Sequence, residues 1–129
     1  MIRCSDPACA EAFDLALARE FSDPAYFAVH QLTVAAYRLE HPEGTGGHTL
    51  AVLEAALRAA VDDGLDGPAL RVFVRRTAER LRADPPPARR RPVRRGPSGV
   101  HAVARATDAE EHCALVRAWS VEVVRAQEG

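Results

Sequence analysis

The sequence predicts an all-α protein: a single-domain bundle of four to five helices over residues 1–129, with an exposed Pro/Arg-rich loop before the last helix. Two observations carry that prediction. Apolar residues recur every three or four positions in successive windows of about 15 to 19 residues, and those windows open on Asp-Pro or similar starts and close on Gly or Pro. A third observation is negative. No alternating pattern competes, the nearest exception being Val100 to Val103, too short to build a sheet.

Ser5-Asp6-Pro7 starts the first helix, because Ser or Asp caps the first turn and Pro at the first helical position loses no hydrogen bond. The helix runs to about Glu20, with Cys9, Phe13, Ala16, Leu17 and Phe21 as its expected inward stripe. The start signal repeats at Ser22-Asp23-Pro24. A second helix then continues through Phe27, His30, Val34 and Tyr37 to His41, where Pro42, Gly44, Gly46 and Gly47 end it. A third, from about His48 to Asp63, carries Leu50, Leu53, Leu57, Ala60 and Val61 on one face and stops at Gly64. Asp66-Gly67-Pro68 opens a fourth, with Leu70, Phe73, Val74, Thr77 and Leu81 inward and Arg71, Arg75, Arg76, Arg80 and Arg82 mostly on the other faces.

From Asp84 to Gly99 the prolines forbid any regular element. The segment holds five Arg (Arg89, Arg90, Arg91, Arg94 and Arg95) and one Asp, leaving 12 Arg against 17 acidic residues elsewhere. The near-neutral total of −1 therefore hides a basic loop on an acidic body. After a short apolar stretch, Val100 to Ala106, Thr107 and Glu110 have the spacing of a capping box. The last helix passes through Ala109, His112, Cys113, Val116, Trp119, Ser120 and Val123.

Composition excludes several chemistries. All 17 basic residues are Arg, so Schiff-base catalysis, a phosphate-loop lysine and a cofactor-anchoring lysine are absent together. No Gly-x-Gly-x-x-Gly run and no Gly-x-Ser-x-Gly elbow occurs. Cys4, Cys9 and Cys113 are odd in number and lack Cys-x-x-Cys spacing, which argues for small buried thiols over disulfides or a zinc ribbon. The first residues hold no apolar h-region and no stretch is long enough to span a bilayer, so the expectation is a cytoplasmic protein without a membrane partner.

The run Arg19-Glu20-Phe21-Ser22-Asp23-Pro24-Ala25-Tyr26-Phe27-Ala28-Val29-His30-Gln31-Leu32-Thr33-Val34-Ala35-Ala36-Tyr37, followed by His41-Pro42, resembles a family of small bacterial proteins of unknown function. Glu110-Glu111-His112 and Arg117-Ala118-Trp119 extend that resemblance, which covers residues 9–42 most fully and 107–123 less so. It implies a shared fold and brings no activity with it. The chain resembles a shortened, divergent member: the N-terminus is brief, and the third helix reads Leu53-Glu54-Ala55-Ala56-Leu57 where the resemblance implies a His. If relatives bind metal through histidines on several helices, that difference removes a ligand here.

His30 shares the apolar stripe of Val34 and Tyr37, and His112 that of Val116 and Trp119, so both are expected to face the bundle interior. Inward histidines on two helices can build a divalent metal site, with Cys113, Tyr37 or a carboxylate such as Glu54 completing it. The same residues also describe a candidate ligand pocket of His30, Tyr37, His112 and Cys113. Two buried histidines satisfied by a backbone carbonyl or a Tyr hydroxyl are the alternative. His41 and His48 flank the Gly-rich turn as a second, weaker metal pair or simply as an exposed helix end; His41 lies about 16 Å along the helix from His30. Tyr26, Phe27 and Trp119 read as core.

Three functions follow from these features. The first is a non-catalytic or accessory protein that binds a small ligand or a partner, a second copy included, since a thin bundle leaves apolar surface uncovered. The second is a metal-dependent helical enzyme, or its degenerate relative, using His30 and His112. The third and weakest is phosphate or nucleic-acid contact through Arg89 to Arg95; no aromatic residue is interleaved there for base stacking.

Overall fold

The computed structural model describes residues 7–86 and 99–128 and is helical throughout its regular elements. Seven helices occur among these residues: α1 Pro7–Ser22, α2 Pro24–Phe27, α3 His30–Glu40, α4 Gly47–Asp63, α5 Gly67–Ala83, α6 Val100–Ala104 and α7 Ala109–Glu128. Five of them are long, and α2 and α6 are single turns that steer the chain between long ones. The loop arginines Arg89 to Arg95 lie outside the described residues.

The inward face of α1 is Cys9, Ala12, Phe13, Ala16 and Glu20. This corrects the expectation for Phe21, which is 68% exposed while its neighbour Glu20 is buried. The helical period explains the exchange: positions 9, 13, 16 and 20 advance by four, three and four residues and stay in register, whereas 21 drifts off the stripe.

Asp23 caps α2 as its spacing predicts, its Oδ1 accepting the Ala25 N–H at 2.9 Å with Pro24 at the helix start. The expected continuous second helix is nevertheless broken at Ala28 and Val29, where Val29 takes φ −108°, ψ 13° and is fully buried. Burial of Val29 outweighs the continuous helical pattern, since local propensity is a weak constraint beside packing. Phe27, expected inward, is 43% exposed as a result.

Helix α4 ends where Gly64 adopts φ +71°, a left-handed conformation that costs glycine nothing, and its N–H returns to the Ala59 carbonyl. The buried residues of α4 are Val52, Glu54, Ala56, Leu57 and Ala59, a broader face than the predicted Leu50-Leu53-Leu57 stripe, because α5 covers it on one side and α3 and α7 on another. Helix α5 is the outer layer. Only Leu70 and Thr77 are buried in it, and Arg71, Arg75, Arg76, Arg80 and Arg82 are all exposed.

Val100 and Val103, the one candidate for a strand, form the short helix α6, packed against α1 with both side chains fully buried. Cys9 Sγ and His101 Nε2 meet across that contact at 3.2 Å. The cap of α7 is displaced by one residue from the predicted box. Asp108 Oδ1 accepts the Glu111 N–H at 2.8 Å, Glu111 Oε1 accepts the Thr107 N–H at 2.7 Å, and Glu110 is exposed. From there His112, Val116, Trp119, Ser120, Val123 and Val124 run along the buried side of α7 against α3 and α4. No helix among the described residues is long and apolar enough to cross a membrane.

Candidate functional site

The stripes of α1, α3 and α7 converge on one carboxylate. Glu20, on the last turn of α1, has a fully buried side chain, and burying a charge is costly unless several donors meet it. Three do. His30 Nδ1 lies 2.9 Å from Oε1, His112 Nε2 lies 2.8 Å from Oε2, and Thr33 Oγ1 donates to Oε2, with the Val29 carbonyl 3.2 Å away as its other acceptor.

A carboxylate offers only acceptors, so these contacts assign a proton to His30 Nδ1 and to His112 Nε2. The consequences differ. His112 Nδ1 is buried and has no hydrogen-bond partner among the described residues. The His30 side chain is 20% exposed and the residue lines a cavity; its other nitrogen, Nε2, has no hydrogen-bond partner among the described residues.

Aromatic residues close the cluster. Phe27 stacks on His30 with ring centroids 4.8 Å apart and planes 12° from parallel, and Phe21 leans on the same ring at 4.7 Å. Tyr26 meets His112 edge-on at 5.0 Å. Cys113 sits beside the cluster with its S–H directed to the Ala25 carbonyl at 3.4 Å. Burial pushes its thiol above the ordinary thiol range; the Glu20 charge acts in the same direction and Arg117 opposes it. A thiol in that state is a weak nucleophile at neutral pH.

The cavity beside His30 has a volume of about 340 Å³ and opens between α3, α4, α5 and α7. Leu32, Val61, Leu65, Leu70 and Val121 supply apolar walls, and Arg71, Arg117 and Asp66 stand among its lining residues. Among the described residues, neither guanidinium makes a hydrogen bond or an ion pair. A second cavity of about 190 Å³ shares His30, Gln31, Leu32 and Leu70 with the first and continues between α3, α4 and α5 past Leu53, Leu57 and Val74.

A family model described as a family of unknown function, DUF5946, matches residues 3–128. The chain belongs to DUF5946. No curated protein and no solved structure matches it. In this DUF5946 protein the segment Ser22-Asp23-Pro24-Ala25-Tyr26-Phe27 forms one wall of the cluster, through the Asp23 cap and the rings of Tyr26 and Phe27.

The remaining candidates lie elsewhere in the DUF5946 fold. Tyr37 is stacked between Phe13, at 3.9 Å, and His41, at 4.1 Å. It sits two helical turns beyond His30 on α3. His41, expected at an exposed helix end, is only 6% exposed because it lies flat on Tyr37, and its Nδ1–H donates to the Tyr37 carbonyl at 3.0 Å. His48 donates to the Ala78 carbonyl at 3.0 Å and ties α4 to α5. Glu54 pairs with Arg58 at 3.2 Å. No group of three or more His, Cys, Asp or Glu side chains with metal-holding geometry occurs among the described residues. Trp119 is core, its Nε1–H donating to Glu40 at 3.0 Å.

Glu20 is the residue that sequence reasoning missed. Its signal was positional: it lies seven residues after Phe13 and four after Ala16, on the buried stripe, and a carboxylate there requires partners of the kind His30 and His112 provide.

Proposed function

We propose that this protein binds a small organic ligand in the cavity beside His30. One observation carries the reading: a cavity of about 340 Å³, within the range of small-molecule sites, is lined by apolar side chains and by His30, whose ring is held through Nδ1 by the buried Glu20 carboxylate. Rigid polar groups in an otherwise apolar concavity are what orient a ligand.

A fragment screen followed by amide and imidazole NMR tests it. Binders are expected to shift His30, Leu70 and Val121 together and to lose affinity when Val61→Trp fills the cavity. A set of several hundred fragments that leaves those three residues unmoved contradicts the reading.

The same dyad favours a second reading, in which His30 Nε2 accepts a proton from a bound substrate or ligates a divalent ion. A carboxylate that fixes the far nitrogen of a histidine serves both roles. Elemental mass spectrometry of untagged protein, with His30→Ala alongside, separates them: stoichiometric metal that His30→Ala removes supports ligation, and its absence from both supports binding or proton transfer.

A further inference from the structure

From the four lining residues that the two cavities share, and the two arginines, unpaired among the described residues, that line the larger one, we infer that the ligand is a single-chain carboxylic acid, its head at Arg71 and Arg117 and its tail in the smaller cavity between α3, α4 and α5. The inference rests on the binding reading above and names the ligand class. Arg71 and Arg117, which make no hydrogen bonds or ion pairs among the described residues, line the larger cavity with one carboxylate residue, Asp66. The Arg and Asp side chains of that lining carry one net positive charge, the complement of a monoanion. Guanidinium groups match carboxylates by forked, charge-assisted hydrogen bonds.

The tail follows from the walls. Four residues, His30, Gln31, Leu32 and Leu70, line both cavities, so the two spaces are neighbours, and in the proposed pose the chain runs past Leu32 and Leu70 into the smaller one. Beyond that point the lining is Val34, Ala35, Leu53, Ala56, Leu57 and Val74, with no charged side chain among them. A slot of that kind rewards methylene groups and offers a second polar head nothing. A charged end at one cavity and an apolar end at the other describe an amphiphile.

Butanoate, hexanoate, octanoate and 1-octanol, titrated against the full chain by calorimetry and NMR, test the inference. Octanoate is expected to bind about tenfold more tightly than 1-octanol, the scale of one charge-assisted hydrogen bond. Affinity should climb by up to about fourfold per methylene from butanoate to octanoate as the tail enters the slot. Arg71 and Arg117 are exposed, so the double variant Arg71→Gln/Arg117→Gln keeps the fold and should bind octanoate no better than octanol. Equal binding of octanoate and octanol by the unaltered chain overturns the inference and leaves the ligand cavity standing. Failure of both to shift His30 and Leu70 also overturns it; if the fragment set is silent as well, the binding reading fails with it.

Discussion

Glu20 Oε2 and His112 Nε2 are 2.8 Å apart, joining the end of α1 to the start of α7 with both side chains fully buried. The Glu20 carboxylate also holds His30 and Thr33, so one side chain links three helices. Removing one partner of a buried pair leaves the others desolvated and unmatched. Glu20→Ala should therefore cost about 3–5 kcal/mol of stability, read from urea denaturation. A cost below about 1 kcal/mol would mean that the cluster adds little to the fold.

Phe21 and Phe13 test the register of α1. Phe13 is buried against Tyr37, and Phe21 is mostly solvent-facing with one side against His30 and Phe27. Phe13→Ala should cost about 3–5 kcal/mol, as aromatic truncations in cores do. Phe21→Ala should cost about 1 kcal/mol or less. Equal costs would place both rings in the core.

Among the described glycines, Gly99 is the most closely packed. A Cβ there would collide with Cγ, Cδ1 and Nε1 of Trp119, whose buried ring is fixed by its bond to Glu40. Gly99→Ala should cost about 1–3 kcal/mol by overpacking. Gly47→Ala, on an open helix start with nothing near its Cβ position, should be neutral or gain up to about 1 kcal/mol. Thermal denaturation of the two variants side by side checks the contrast.

The Cys113 thiol predicts a pH effect of known sign. Because burial raises its folded value above the unfolded one, the folded state holds the proton more tightly. The associated stability is fully present below the unfolded thiol range and is lost as pH rises through the folded value. Iodoacetamide should therefore modify Cys113 more slowly in native protein than in urea at pH 7.5, with the native rate climbing above pH 9. Site-resolved mass spectrometry reads both rates, and a native rate equal to the unfolded one at pH 7.5 contradicts the assignment.

Much of the fold is legible in the sequence because it rests on local physics. The Asp23 cap, the Gly64 stop and the outward arginines of α5 each follow from one residue's backbone or solvation preference. What is not legible depends on tertiary contacts. Nothing local breaks the chain at Val29, and nothing within α1 alone says that Glu20 is the buried member of the Glu20-Phe21 pair; its three donors arrive from α3 and α7. The stripe arguments place His30 and His112 on faces that meet, yet the carboxylate between them and the separate Phe13-Tyr37-His41 stack emerge only from packing.

The central claim is that Glu20 holds the Nδ1–H of His30 and leaves Nε2 free for a ligand. Long-range proton–nitrogen correlation spectra of uniformly ¹⁵N-labelled protein at pH 8 read the tautomer of each histidine directly. His30 as the Nδ1–H tautomer together with His112 as the Nε2–H tautomer is the predicted pattern, with the His30 assignment lost in Glu20→Gln. His30 as the Nε2–H tautomer in the unaltered protein would contradict it, because Nδ1 would then carry no proton to donate to the carboxylate.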